Sequence, residues 1–116
     1  MQNQKISVIG LGFVGLTLAV VNAKKGFDTI GIDIDEDKIR KLKRGIPDFF
    51  EPKLEKFLLS SLKNKKLIFS KNFEFILKKD ITFVTVGTPS NEKGQIELKY
   101  LNNAIIKIIK VLKNKK

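Results

Sequence analysis

Near the start of the chain, Gly10-Leu11-Gly12-Phe13-Val14-Gly15 carries the spacing G-x-G-x-x-G. Glycine at the first position permits a tight turn, at the second lets an anion approach backbone N–H donors, and at the third lets a helix pack closely on a sheet. Glycines at this spacing also arise by chance in loops, so context decides the reading. Here the string follows a short β-branched run, Ile6-Ser7-Val8-Ile9, and opens a segment of helical periodicity. An acid, Asp33, ends the next apolar run 18 residues beyond Gly15, close to the ~20 of a dinucleotide-binding unit. The implied chemistry is non-covalent. A pyrophosphate would rest on a helix N-terminus while the carboxylate accepts hydrogen bonds from an adenosine ribose. A carboxylate there repels a 2′-phosphate, which favours NAD over NADP. The competing role for Asp33, capping the next helix, falls more naturally to Asp35.

Two further candidates are less specific. Lys38, one turn into that helix, is placed either to reach the ribose or adenine rim or to stand as a solvated lysine, and spacing leaves both open. Val86-Gly87-Thr88-Pro89-Ser90 leaves the C-terminal end of a predicted strand, where ligands of open α/β sheets lie. Thr88 brings a hydroxyl there and Gly87 permits close approach, although Gly-Thr-Pro is also ordinary turn chemistry. Cys and His are both absent. That removes disulfides, thiolate metal sites, a cysteine nucleophile, Ser-His and Cys-His catalysis and the commonest metal ligand. No catalytic residue and no metal ligand is assigned.

The elements that must position these groups follow from periodicity. Strands are expected at Ile6–Ile9, Thr29–Ile32, Leu67–Phe69 and Ile81–Val86. Between them, Phe13 to Lys25 reads as a helix buried through Gly15, Leu16, Ala19, Val20 and Ala23, with Gly26 at its C′ position. A second helix runs from the acids Asp35, Glu36 and Asp37 to the bases Lys41, Lys43 and Arg44 before Gly45, an order that complements the macrodipole. Its apolar contacts are Ile39 and Leu42. Glu51-Pro52 opens a third helix with Pro52 in the first turn, burying Leu54, Phe57, Leu58 and Leu62. Phe73 to Lys78 forms a short helical turn, and a last helix from about Leu98 aligns Leu101, Ile105, Ile108, Ile109 and Leu112. Alternation of this kind predicts an α/β fold, a Rossmann-type half with a parallel sheet in the order 3-2-1-4 and flanking helices.

At 116 residues, 42% hydrophobic and 30% charged, the chain is one domain with enough apolar content for a core, and no apolar run spans a bilayer. Met1-Gln2-Asn3-Gln4-Lys5 carries no signal-peptide pattern, and a cytoplasmic location is expected. The net charge of +11 arises from 21 Lys and only 2 Arg, scattered among Ile and Asn. Nucleic-acid readers lean on arginine's planar fork, so solvated helix faces are the favoured reading, with no nucleic-acid or membrane partner.

The segments Gly10 to Leu16, Gly31-Ile32-Asp33-Ile34-Asp35, Phe50-Glu51-Pro52-Lys53-Leu54, Val86 to Ser90 and Ile96 to Leu101 together resemble the N-terminal NAD-binding domain of the UDP-glucose/GDP-mannose dehydrogenase family. The resemblance covers essentially the whole chain, in order. The combination of the glycine fingerprint with Glu-Pro-x-Leu and Val-Gly-Thr-Pro-Ser makes it specific. It implies an NAD-dependent enzyme that oxidises the C6 hydroxyl of a nucleotide sugar to the carboxylate. It also implies cofactor contacts from Gly10, Leu11, Gly12, Phe13, Val14, Gly15, Asp33, Lys38, Val86, Gly87, Thr88, Pro89 and Ser90, with Asp33 and Lys38 at the adenosine ribose. One departure is Lys53, where the family has glycine, which is expected to alter the turn before the third helix.

On this resemblance residues 1–116 form a single NAD-binding Rossmann-like domain, a truncated chain incomplete relative to the family. The catalytic cysteine, the dimerising helix and the central and C-terminal domains would belong to sequence beyond it. Such a chain binds NAD, meets a nucleotide sugar only in the complete enzyme, associates with the missing domains and is catalytically incomplete alone. Two alternatives stand beside it. One is a stand-alone NAD-binding module without catalysis. The other is the N-terminal domain of a 3-hydroxyacid or 6-phosphogluconate-type dehydrogenase, against which the Glu-Pro-x-Leu and Val-Gly-Thr-Pro-Ser segments argue.

Overall fold

A computed structural model describes residues 4–114, so the Met1–Asn3 lead-in and the last two residues of the expected domain lie outside the described residues. Four strands form one parallel sheet: β1 (Lys5–Ile9), β2 (Asp28–Ile32), β3 (Leu67–Ser70) and β4 (Ile81–Val84). Their order is β3-β2-β1-β4, as the alternation of strands and helices predicts. The chain leaves the central strand β1, crosses through α1 (Phe13–Lys24) to β2, and crosses again through α2 (Glu36–Lys43) and α3 (Leu54–Lys63) to β3. A 3₁₀ helix (Phe73–Lys78) then leads back to β4, and α4 (Lys99–Lys113) closes the described chain. Reversal of strand order between β2 and β4 opens a crevice at the C-terminal end of β1, where open α/β sheets bind ligands.

Each face of the sheet carries its own apolar cluster. Ile6 and Val8 of β1 meet Leu16, Ala19 and Val20 of α1 and Leu54 and Leu58 of α3 on one side. Ile9, Ile30 and Ile32 meet Phe73, Ile76 and Ala104 on the other. Full burial of each large aliphatic side chain contributes about 1.5–3 kcal/mol, so β1 and β2 are the best-anchored strands. Gly31 belongs to this packing. A Cβ there would lie 2.7 Å from the Phe69 ring and 3.0 Å from Leu11, so its absence lets both side chains meet over β2.

Helix ends follow the local chemistry. Asp35 is the N-cap of α2, its Oδ1 accepting the Lys38 N–H at 3.1 Å. Gly26 and Gly45 stand just past α1 and α2 in the left-handed region, at φ 99° and 79°. The third helix differs from expectation. It starts at Leu54, and Glu51-Pro52-Lys53 forms a turn whose Glu51 carbonyl accepts the Leu54 N–H at 3.0 Å. Lys53 takes φ −92° and ψ −19°, a right-handed conformation open to any residue, so lysine fits that turn without strain. Its buried face is Leu54, Leu58 and Ser61, with Phe57 and Leu62 half-buried.

Two other expectations change. β4 ends at Val84, because Val86 turns out of the strand direction toward the crevice, although the Thr85 N–H still reaches the Ile9 carbonyl at 2.7 Å. In α4 the expected core stripe is largely exposed. Ala104 is buried and Ile108 and Val111 are half-buried, whereas Ile105, Ile109 and Leu112 face outward. The reason is topological. β4 is the sheet edge, its own Phe83 and Val84 are exposed, and among the described residues no element covers that flank. No helix among the described residues is long and apolar enough to cross a membrane.

Candidate cofactor-binding site

A cleft of about 1070 Å³ opens at the C-terminal end of β1, between the β2 and β4 exits. Its floor is the glycine turn. Gly10 has φ 93°, and a Cβ on it would lie 2.7 Å from the Val86 backbone nitrogen, so both conformation and space require glycine. Gly12 is different: it takes φ −74° and ψ −160°, and a Cβ on it meets nothing within 4 Å. The open space there is the cleft itself. Gly15 lies in the first turn of α1, where a Cβ would strike the Gly10 carbonyl and the Thr85 hydroxyl. The third glycine thus admits a hydrogen bond between the exits of β1 and β4 as well as close packing.

α1 presents a free N-terminus to this cleft. Its first intrahelical bond runs from the Leu16 N–H to the Gly12 carbonyl at 2.9 Å, which leaves the N–H groups of Phe13 and Val14 without helical partners. No side chain caps it and no acid occupies its first turn. The positive end of the macrodipole is therefore unneutralised where Gly12, Phe13 and Val14 line the wall.

On the β2 side Asp33 is buried, and its two oxygens are engaged by backbone. Oδ2 accepts the Leu11 N–H at 2.8 Å and Oδ1 accepts the Asp35 N–H at 3.0 Å. A carboxylate offers about four acceptor sites, so lone pairs remain for two neighbouring hydroxyls. The Lys38 ammonium lies 3.9 Å from Asp33 Oδ2 and 4.0 Å from Asp48 Oδ2, which places it on the cleft rim rather than in open solvent. Asp48 belongs to the loop before α3, and the neighbouring Phe49 packs edge-on against Phe13 at 5.0 Å. That loop is folded against Phe13 of the glycine turn and Lys38 of α2.

Gly10, Leu11, Gly12, Phe13, Val14, Asp33, Lys38, Val86, Gly87, Thr88 and Pro89 all line the one cleft. Gly15 and Ser90 do not. Gly15 is buried behind the turn, and Ser90 is turned away by an antiparallel bridge to Ile96. A tight loop holds that bridge, with Asn91 Oδ1 accepting the N–H groups of Lys93 at 2.9 Å and Gln95 at 3.0 Å.

The opposite wall, which no sequence pattern singles out, is formed by Phe73 and by Tyr100, Asn103, Lys107 and Lys110 of α4. Their spacing marks one face of a helix, but a Lys/Asn row reads equally as a solvated face. The Lys107 ammonium stands 5.3 Å from the centre of the Phe73 ring. Thr85 is likewise unmarked in the sequence. Its hydroxyl lies 2.7 Å from the Gly10 carbonyl oxygen and 3.0 Å from that of Ile9.

These features fit a dinucleotide. The unfilled space at Gly12, the uncapped helix N-terminus and the buried, partly free carboxylate are complementary to a pyrophosphate and a diol at neighbouring positions. Among the described residues no group of three or more His, Cys, Asp or Glu could hold a metal ion.

A sequence profile described as "UDP-glucose/GDP-mannose dehydrogenase family, NAD binding domain" matches residues 4–116. The GDP-mannose 6-dehydrogenase of Pseudomonas syringae pv. tomato is 37% identical over 112 residues, covering 96% of this chain and 26% of that protein. An uncharacterised protein of Methanocaldococcus jannaschii is 46% identical over 103 residues, covering 89% of this chain and 11% of that one. The crystal structure of a ternary complex of GDP-mannose dehydrogenase from Pseudomonas aeruginosa superposes with a TM-score of 0.91 at 31% identity, covering 96% of this chain and 26% of that one. The chain thus spans about a quarter of the length of the two dehydrogenases and about a tenth of the third protein.

Proposed function

Because the chain belongs to the UDP-glucose/GDP-mannose dehydrogenase family, as its NAD binding domain, we propose that it is the cofactor-holding portion of a nucleotide-sugar 6-dehydrogenase. The reaction class is oxidation of a CH–OH group of UDP-glucose, GDP-mannose or a related sugar nucleotide. Bound NAD supplies the hydride acceptor. The resulting sugar acid suits polysaccharide biosynthesis in the cytoplasm.

The observation that carries the reading is the meeting of three elements at one point: the exit of β1, the uncapped N-terminus of α1 and the Asp33 carboxylate at the end of β2. In this reading Gly10, Gly12 and the N–H groups of Phe13 and Val14 hold the pyrophosphate. Asp33 accepts from the adenosine ribose with Lys38 beside it, and Val86 to Pro89 border the nicotinamide side. Gly15 acts from behind the turn, and Ser90 acts only by fixing the loop.

The chain's own residues offer no complete catalytic set. Oxidation through an aldehyde to an acid needs a base for the hydroxyl proton and a group to hold the aldehyde covalently, and the chain has no Cys and no His. In this reading residues 1–116 act as one NAD-holding domain of a larger catalytic unit. Following NADH absorbance with a panel of nucleotide sugars tests this. No turnover is expected from the chain alone, and turnover is expected once it is fused to the remaining domains of a related dehydrogenase. Steady NADH production by the 116-residue chain would contradict it.

A further inference from the structure

The peptide joining Gly10 to Leu11 is held from both sides of β1. Its carbonyl lies 2.7 Å from the Thr85 hydroxyl, next to β4, and its N–H donates to Asp33 Oδ2 at 2.8 Å, next to β2. A trans peptide is planar and directs its C=O and N–H to opposite sides, so this single unit bridges two strand ends that do not touch. The competing acceptor for the Thr85 hydroxyl, the Ile9 carbonyl at 3.0 Å, already receives the Thr85 N–H at 2.7 Å. The hydroxyl proton is therefore assigned to Gly10. Space for this bond exists because Gly15 has no Cβ.

We propose that Thr85 is a positioning residue for ribose recognition, acting through the Gly10–Leu11 peptide on the carboxylate of Asp33. The proposal rests on the reading of Asp33 as the ribose acceptor. Gly10, at φ 93°, is a link of the turn that has no side chain of its own to fix the peptide plane. Without the Thr85 hydroxyl the Gly10–Leu11 peptide loses the tie at its carbonyl and is held less firmly toward Asp33, whose other backbone donor is the Asp35 N–H. A donated hydrogen bond at the carbonyl also polarises the peptide and strengthens its N–H toward the carboxylate. Thr85 thereby ties the β4 exit, which borders one end of the cleft, to the residue that selects the cofactor at the other.

Thr85→Val keeps the shape of the side chain and removes the donor, and Thr85→Ser keeps the donor. Calorimetric titration of NAD and NADP into each variant reads the effect. Thr85→Val is expected to weaken NAD binding about fivefold, the value of one ordinary hydrogen bond. NADP, which a fixed carboxylate opposes, is expected to change less, so that the preference for NAD falls. Thr85→Ser is expected to restore both affinity and preference. If the valine variant does not fold, Thr85→Cys, which like the serine variant lacks the γ-methyl but carries a much weaker donor, must show the same loss of preference. A lowered melting temperature with an unchanged NAD-to-NADP ratio would make Thr85 merely structural and overturn the proposal. Absence of NAD binding by the wild-type chain would remove the cofactor reading, and this proposal with it.

Discussion

Gly12 is the N-cap of α1 with backbone angles open to any residue, and a Cβ built on it meets nothing within 4 Å. Gly12→Val therefore has almost no reason to unfold the chain. The cost is the poorer N-cap propensity of valine, about 1 kcal/mol or less, or a few degrees in melting temperature. The same side chain would project into the cleft where an anion must approach the Phe13 and Val14 N–H groups. Loss of two charge-assisted hydrogen bonds at about 1.5–3 kcal/mol each amounts to roughly 3–6 kcal/mol. The predicted consequence is a fall of at least about 100-fold in NAD affinity with a native circular dichroism spectrum. Calorimetric titration and thermal melts on one preparation read both quantities. A valine variant that binds NAD as the wild type does would refute the placement of the pyrophosphate; one that unfolds would refute the claim that Gly12 faces empty space.

Gly15→Ala should behave in the opposite way. The added Cβ strikes the Gly10 carbonyl and the Thr85 hydroxyl, and overpacking against backbone outweighs the gain of about 0.8–1 kcal/mol in helix propensity. A net loss of about 1–3 kcal/mol is expected in denaturant melts, and an unchanged or stabilised variant would show that α1 can shift freely over the sheet. Lys79 supplies a pH test. Burial pushes its ammonium below the ordinary 10.5, with repulsion from Lys5 in the same direction and attraction from Asp28 and Asp80 opposing. The folded state releases this proton first, so stability rises as pH climbs between the depressed value and 10.5, and the charged form is a liability below that window. Lys79→Met should stabilise the chain slightly at neutral pH, by less than about 0.5 kcal/mol after solvent screening, and lose that advantage well above pH 10.5. An advantage that persists in strong base would point to packing instead.

The parallel order β3-β2-β1-β4 was legible because each strand is a short apolar run bounded by glycine, proline or charge, with a helix-length segment before each of its partners. The glycine turn and Asp33 were legible for a related reason: their job depends on backbone and on one charge, both visible as residue types at fixed spacing. The stripe on α4 was not. Periodicity marks Ile105, Ile109 and Leu112 as one apolar side, but whether that side is covered depends on what lies beyond β4. Thr85 escaped notice because a threonine in a β-branched strand needs no further explanation. Only the 2.7 Å approach of its hydroxyl to the Gly10 carbonyl distinguishes it. Lys107 and Lys110 were hidden among other lysines, and their place on the cleft wall is a matter of how α4 crosses the sheet.

If this cleft takes NAD and Asp33 chooses it, both cofactors must report the difference. Titrating NAD and NADP into the wild-type chain by calorimetry tests both halves at once. Saturable binding of one NAD is expected, with NADP weaker by on the order of 1–3 kcal/mol because the buried carboxylate opposes a 2′-phosphate. Absence of saturable NAD binding, or NADP bound as tightly as NAD, would contradict this reading of the cleft.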